Sequence, residues 1–408
     1  MISFEKAQRL IGENVPKPKK IKVSLANSLG DVIAEDVKAP FPLPIYDNSA
    51  MDGYVLRSCD TRSASQRKPV LLKIKDTMKA GDYPTRPLST GEAYKIMTGA
   101  LIPKGGDCIL PKEEALVKNG CLIIEQLIGV SRHVRRQGEE IEKGRRVICK
   151  GAVIHPATVG VLASFGLECV KVFVRPKVSV ITTGSELIPA GQELKPGKIY
   201  DSNSLVVSSI LKSMRIEPVL IQTIGDRKGI LKRTLKRAFE KSDVLILTGG
   251  VSVGDYDYVK EVLAQFGVRT IFWKVSQKPG KPIYFGRKGS KLVFGLPGNP
   301  ASVFTCFYEY VFPALRRMSG FCNPYLHREM LKIGTQIKPD RRKILFLKGK
   351  TELDGKKKTV IPLSRQGSHM ISSLQDANCF ILIPPSRKST KEGQKVRVDL
   401  LPAGNGAL

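Results

Sequence analysis

The chain has 408 residues, of which 42% are hydrophobic and 25% charged. That balance excludes a disordered polymer, and the length is too great for one hydrophobic core, so several domains are expected. No apolar run reaches the roughly 18 residues of a membrane span. The opening MISFEKAQRL carries charges where a signal peptide needs an apolar stretch, and the protein therefore reads as cytoplasmic, with no membrane partner. The net charge of +30 comes from 67 basic and 37 acidic side chains. It admits three readings: a general lysine bias, attraction of small anions, and nucleic-acid binding, ranked in that order. Basic runs such as Lys356-Lys357-Lys358 and Arg341-Arg342-Lys343 read as loop tips, and no nucleic-acid-binding motif accompanies them, so no nucleic acid is expected as a partner. Eight cysteines without C-x-x-C spacing read as buried reduced thiols. The four scattered histidines argue against a dedicated zinc site.

In chain order, residues 1–45 read as a helix, a strand-like stretch and an extended segment stiffened by Pro40, Pro42 and Pro44. Residues 46–138 are β-rich, with short apolar runs at 70–74, 108–110 and 122–127 broken by Gly and Pro. Residues 139–174 include a helical pattern after Pro156, in Ala157, Val161 and Leu162. This segment is able to rejoin residues 1–45 as one discontinuous domain. The clearest region is 175–320. Strands are expected at 178–181, 219–224, 244–247 and 270–275. A helix capped by Asp201 or Ser202 buries Val206, Val207, Ile210, Leu211 and Met214. Further helices follow at 228–241 and on the face of Val259, Val262, Leu263 and Phe266, and a long one spans about 301–318. The alternation demands a parallel sheet covered on both faces, with ligands beyond the carboxyl ends of its strands. From 321 the short strands and Gly/Pro/Lys turns predict a small β-barrel. The fold class is thus multidomain α/β: a central parallel-sheet domain, flanking β-rich domains and a C-terminal β-barrel.

The strand ends collect chemistry. Thr182-Thr183-Gly184-Ser185-Glu186 follows the first strand and Gly225-Asp226 the second. Thr248 to Asp257 (TGGVSVGDYD) follows the third, and Lys278-Pro279-Gly280-Lys281 the last. Gly249, Gly250, Ser252 and Gly254 let backbone amides turn toward a phosphate, and a helix start near Asp255 adds partial positive charge; a tight structural turn explains the same glycines equally well. Glu186, Asp226 and Asp257 suit Mg²⁺ beside a phosphate, or capping and solvated loop charge. Lys278 and Lys281 suit an oxyanion; for Lys274 a plain surface role weighs nearly the same. In Leu296-Pro297-Gly298-Asn299-Pro300 a cap and first helical turn explain every residue. Tyr46 to Tyr54 (YDNSAMDGY) is too polar to be simple core.

Together these strings resemble one family. YDNSAMDGY, YKIMTGALIP (94–103), TTGSEL (182–187), YDSNS (200–204), TGGVSVGDYDY (248–258), KPGKP (278–282) and GLPGNPAS (295–302) occur in the order found in MoeA-type molybdenumtransferases and the gephyrin E domain. RQGSHMISSLQDANCFILIP (365–384) is similar to the family's C-terminal domain. The resemblance spans nearly the whole chain. It implies four domains, here 1–45 with 139–174, 46–138, a molybdopterin-binding α/β domain at 175–320, and a barrel at 321–408. It implies a homodimer whose cleft takes YDNSAMDGY from the second subunit, and a Mg²⁺-dependent reaction in which adenylylated molybdopterin and molybdate give molybdenum cofactor and AMP. It places Asp52, Thr98, Glu186, Asp226 and Asp257 in the functional cleft, the last three as candidate metal ligands. Gly249, Gly250, Ser252, Gly254, Lys274, Lys278, Lys281, Pro297, Asn299, Pro300 and Ser302 become candidate substrate contacts, and molybdoenzymes that accept the cofactor become partners. Ser185 stands where the family often has Asp, leaving one carboxylate fewer. The alternative is a non-catalytic molybdopterin-binding or scaffold protein on the same fold.

Overall fold

The computed structural model describes residues 1–250, 259–355 and 357–402. Its contacts divide the chain into two compact units, Met1–Ala34 with Gly151–Val159 and Cys169–Leu408, and Glu35–Lys150 with Gly160–Glu168.

The second unit is built on a six-stranded sheet. Its strands lie in the order Cys108–Pro111, Gly53–Leu56, Glu92–Ile96, Val70–Met78, Cys121–Ile124, Leu116–Lys118. Successive side chains alternate faces, and here both faces are apolar. Val55, Tyr94 and Ile109 enter one cluster, while their neighbours Leu56, Ala93, Cys108 and Leu110 enter another. Burial on both sides explains why these runs look continuous in sequence rather than alternating. Gly53 is required by close approach: a Cβ there would lie 2.1 Å from the Leu110 carbonyl oxygen.

In the first unit a six-stranded sheet runs Leu220–Ile224, Val178–Thr183, Val244–Thr248, Lys291–Leu296, Tyr284–Lys288, Arg269–Trp273. Five strands are parallel; Tyr284–Lys288 is antiparallel to both neighbours. The sequence reading passes from the strand at 270–275 directly to GLPGNP and misses this hairpin. The adjacent interior strands Val178–Thr183 and Val244–Thr248 are wholly buried. Val207, Ile210 and Leu211 of the Ser202–Ser213 helix pack on Val178, Val180 and Ile246. Leu231, Leu235 and Ala238 of the Lys228–Lys241 helix, with Val259, Val262 and Leu263 of Val259–Gln265, pack on Ile181, Leu245 and Leu247. Both faces are covered, as a parallel sheet requires.

Asp201 caps the Ser202–Ser213 helix. One carboxylate oxygen accepts the Ser204 N–H at 3.0 Å, and the other accepts the Thr223 hydroxyl at 2.6 Å. Asp201→Ala is expected to lose about 2 kcal/mol of stability and Asp201→Asn, which keeps the cap acceptor, less; thermal unfolding of both variants checks this.

The expected helix at 301–318 is interrupted. Pro300–Cys306 and Phe312–Met318 flank a π-turn, Phe307–Val311, in which the Phe312 N–H donates to the Phe307 carbonyl. Pro313 has no N–H to offer the Glu309 carbonyl one turn back. The Gln8 amide, from the N-terminal helix Phe4–Asn14, fills that position at 3.0 Å.

The predicted barrel is present and closed. Ile344–Asp354, Lys357–Pro362, His327–Ile333, Lys395–Leu400 and Cys379–Ile383 follow one another around it, and the last pairs back to the first. Closure removes the unpaired edges. Leu331, Ile333, Val360, Ile381 and Val398 fill the interior. Phe346 and Phe380 join the core of the α/β sheet instead, where the Phe4 ring lies 5.0 Å from Phe346 and 5.8 Å from Tyr310. A two-residue strand, Gln277–Lys278, pairs in parallel with Ile344 and Leu345 and ties barrel to sheet.

Two minor expectations change. Lys357 and Lys358 lie in a barrel strand rather than a loop tip, with Lys358 at 2.8 Å from Glu329. The described cysteines are all free, but only Cys108, Cys306 and Cys379 are buried, while Cys59, Cys149 and Cys322 are exposed. No helix among the described residues is long and apolar enough to cross a membrane.

Candidate functional site

The carboxyl ends of the parallel strands open onto a cleft of about 1340 Å³ in the first unit. Glu186, Asp226, Gly249, Gly250, Lys278, Lys281, Pro297, Asn299, Pro300 and Ser302 all line it, so the structure gathers most of the sequence candidates in one place. Ser252, Gly254, Asp255 and Asp257 lie outside the described residues.

The loops are clasped to one another. The Ser185 N–H donates to Asp226 Oδ2 at 2.9 Å, and the Asp226 N–H donates back to Ser185 Oγ at 3.0 Å. Ser185, where the family often has Asp, thus locks two strand-end loops together. Glu186 differs from Asp226: it is exposed, and its carboxylate makes no hydrogen bond or ion pair among the described residues. The Gly249-Gly250 turn needs its glycines for steric reasons alone. Both have positive φ, and a Cβ on Gly249 would lie 2.3 Å from the Thr183 carbonyl oxygen. Among the described residues no three His, Cys, Asp or Glu side chains gather as a metal cluster.

Lys274 does not line the cleft. It adopts positive φ, and its ammonium sits 3.7 Å from the Trp273 ring centroid, a cation–π contact. Asn299 occupies the N-cap position of the Pro300–Cys306 helix, but its side chain does not cap. Its amide donates to Ser368 Oγ at 3.0 Å, while the Ala301 N–H donates to the Ser368 carbonyl at 3.0 Å. These bonds bring a barrel loop, Gln366 to His369, onto the cleft wall. Lys348 supports that loop from below. This buried lysine donates to Ser373 Oγ at 2.6 Å and to the Gly367 carbonyl at 3.2 Å, and burial lowers its pKa.

Sequence reasoning left several lining residues unassigned. Asn203 donates to the Gly298 carbonyl at 2.7 Å, joining two of the quoted strings, YDSNS and GLPGNPAS. Lys343, from the Arg341-Arg342-Lys343 run, and Ser368 and His369 also line the cleft. The signal available for Ser368 and His369 is the polar RQGSHM string between barrel strands, which resembles the family's C-terminal domain.

Asp52 and Thr98 meet in the second unit. Asp52 Oδ1 accepts the Thr98 N–H at 2.8 Å and the Thr98 hydroxyl at 2.7 Å, and Lys112 Nζ lies 3.5 Å from Oδ2. The Thr98 hydrogen bonds, the backbone one first, hold the Asp52 carboxyl below its usual range. It is therefore a fixed, ionised acceptor at neutral pH.

Known proteins resemble the chain along nearly all its length. Residues 2–166 match the MoeA N-terminal region (domains I and II), 179–317 a probable molybdopterin binding domain, and 331–401 the MoeA C-terminal region (domain IV). A molybdopterin molybdenumtransferase of Staphylococcus aureus is 33% identical over 399 residues, covering 97% of this chain and 94% of its own. Molybdopterin molybdenumtransferase 2 of Mycobacterium tuberculosis is 34% identical over 403 residues, covering 98% of this chain and 99% of its own. The crystal structure of a molybdopterin biosynthesis MoeA protein from Pyrococcus horikoshii superposes with a TM-score of 0.86 at 32% identity, over 98% of this chain and 99% of that one. With its strand-end cleft, its closed barrel and these relatives over its whole length, the chain belongs to the MoeA family.

Proposed function

We propose that the protein is a molybdopterin molybdenumtransferase, which inserts molybdate into adenylylated molybdopterin and releases AMP. The observation that carries the reading is the composition of the cleft: a glycine turn, the Glu186 and Asp226 carboxylates and the lysines Lys278, Lys281 and Lys343 line a single cavity. That set suits a substrate bearing a pyrophosphate together with a small tetrahedral dianion. Lys278, Lys281 and Ser302 are donors for molybdate. The turn at Gly249-Gly250 is the place for phosphate oxygens. Glu186 and Asp226 fit Mg²⁺, which is commonly held by one or two carboxylates with phosphate and water oxygens completing its shell. When bound, the ion supplies charge neutralisation on the pyrophosphate. The chain's own residues do the remainder by orientation: the Ser185–Asp226 clasp fixes the carboxylate loops, and the cleft lysines hold the oxyanion near them.

The rest of the proposal follows the family resemblance. The protein works in the cytoplasm as a homodimer of four-domain subunits, and Asp52, held by Thr98, reaches the cleft of the opposite subunit to position substrate. Molybdoenzymes take up the product.

Adenylylated molybdopterin incubated with the protein and Mg²⁺ tests the reading. AMP, followed by chromatography, is expected to appear only when molybdate is added. Bound substrate without molybdate-dependent AMP would overturn the transferase reading in favour of a molybdopterin-binding protein.

A further inference from the structure

Gln277 is a polar side chain in a wholly buried setting. It is 1% exposed, and its neighbours Tyr310 and Cys306 are 0% exposed. Its amide is satisfied at both ends. Oε1 accepts the Tyr310 hydroxyl, and Nε2 donates to the Pro279 carbonyl at 2.9 Å with Cys306 Sγ at 3.5 Å. The orientation is forced, because the Pro279 carbonyl only accepts and so must face the NH₂. Burial pushes the Tyr310 phenol well above its usual pKa, so it remains a protonated donor.

The turn that this amide touches is the one carrying the cleft lysines. Pro279 and Gly280 are the two residues between Lys278 and Lys281. The Cys306 thiol donates to the Gly280 carbonyl at 3.7 Å. A Cβ on Gly280 would lie 2.4 Å from Cys306 Sγ and 2.8 Å from Gln277 Nε2, so the turn is pressed onto the buried group. Both intervening carbonyls are thus tied to side chains, one of the two-residue strand and one of the interrupted helix. The ammonium groups of Lys278 and Lys281 make no hydrogen bond or ion pair among the described residues, and both lysines line the cleft. The backbone beneath the two lysines is anchored while their ammonium groups stay out of direct ion pairs, Lys278 acting on Asp340 only at longer range. An apolar side chain at 277 would fill the same space but leave the Pro279 carbonyl without its donor, the turn then being held by the two-residue strand on its amino side, the Cys306 thiol and the Val275 N–H, which donates to the Lys281 carbonyl at 3.0 Å.

We infer that Gln277 is a positioning residue: with Tyr310 it braces the Pro279–Gly280 turn so that Lys278 and Lys281 meet an oxyanion as a fixed pair. The identity of that oxyanion as molybdate rests on the function proposed above.

The test uses Gln277→Met, Tyr310→Phe and the double variant in the full chain. The single methionine variant strands the buried Tyr310 hydroxyl and is at risk of misfolding; the double variant removes both partners together and avoids that. Hydrogen exchange of residues 278–283 and the Michaelis constants for both substrates are measured. In the double variant, exchange in this segment is expected to accelerate, with the rest of the chain unchanged. The KM for molybdate is expected to rise roughly tenfold, the effect of losing about one hydrogen bond of positioning, with the KM for adenylylated molybdopterin unchanged. Tyr310→Phe should fall between wild type and the double variant. Wild-type exchange in the double variant would overturn the brace. Faster exchange with both constants unchanged, or with both raised alike, would overturn its role in positioning the lysines. If the wild type releases no molybdate-dependent AMP, the proposed function fails separately. Calorimetric titration with molybdate then decides: weaker binding in the double variant supports the brace, and equal binding or none in either protein overturns it.

Discussion

Alanine at Glu186 is expected to lower molybdate-dependent AMP release by at least about a hundredfold while leaving the melting temperature unchanged. The separation of the two effects is what makes this substitution informative. Glu186 is exposed, and its carboxylate makes no hydrogen bond or ion pair among the described residues, so its removal is expected to take little from the fold. Asp226 offers no such clean probe, because its carboxylate holds the Ser185 amide and its loss would release the loop that presents Glu186. The hundredfold figure is the usual cost of deleting one fixed charge-stabilising group from a reaction with little covalent chemistry for the protein to perform. Activity within a few-fold of wild type would remove Glu186 from the mechanism. A fall in melting temperature matching the loss of activity would reassign it to the fold.

The second large effect concerns stability. Glu309 lies in the π-turn, 2% exposed, with one carboxylate oxygen unpartnered and the other 3.5 Å from the Gln8 amide. Burial pushes its carboxyl up to about 8 from an ordinary 4.5; Asp399 adds to the rise, and Arg397 and Arg328 oppose it. Between those values the folded chain holds a proton that the unfolded chain has released. Stability is therefore fully present below the lower value and declines as pH rises toward the upper one, by up to about 1.4 kcal/mol per pH unit. The melting temperature of the wild type is expected to fall by several degrees between pH 5 and pH 8, and that of Glu309→Gln to fall much less. Parallel melting curves for the two proteins across this range would show that Glu309 titrates normally.

Much of the first unit was legible because its signals are local. The helix at 228–241 has the predicted bounds, since Leu231, Leu235 and Ala238 repeat at helical spacing and all end up buried. The cap could be narrowed to Asp201 or Ser202 because residue type and the apolar run behind agree, and the structure chooses Asp201. The hairpin of Tyr284–Lys288 and Lys291–Leu296 was not seen, because counting strand–helix alternation leaves no place for two strands joined without a helix. The π-turn was equally hidden: apolar residues continue through it, and only Pro313 marks the break. At the site, the strand-end rule led to Glu186, Asp226, Gly249, Gly250, Lys278 and Lys281, all on the cleft wall, while Asp257, Ser252 and Gly254 lie outside the described residues. It could not find Lys343, Ser368 or His369, which reach the cleft from another domain by contacts far apart in sequence. Lys274 shows the opposite limit. Its neighbours in sequence suggest the cleft, whereas positive φ and the Trp273 ring take its side chain elsewhere.

The pairing of Gln277 and Lys278 with Ile344 and Leu345 bears on the order in which the chain is assembled during synthesis. The partner strand emerges long after the α/β sheet has been completed, and joining it closes a large loop. Such closures are late events in folding because their entropy must be met before the contact gives anything back. A nascent chain thus carries a finished sheet whose Gln277–Lys278 strand still lacks its partner, and the tie between sheet and barrel is made only when the last domain has folded.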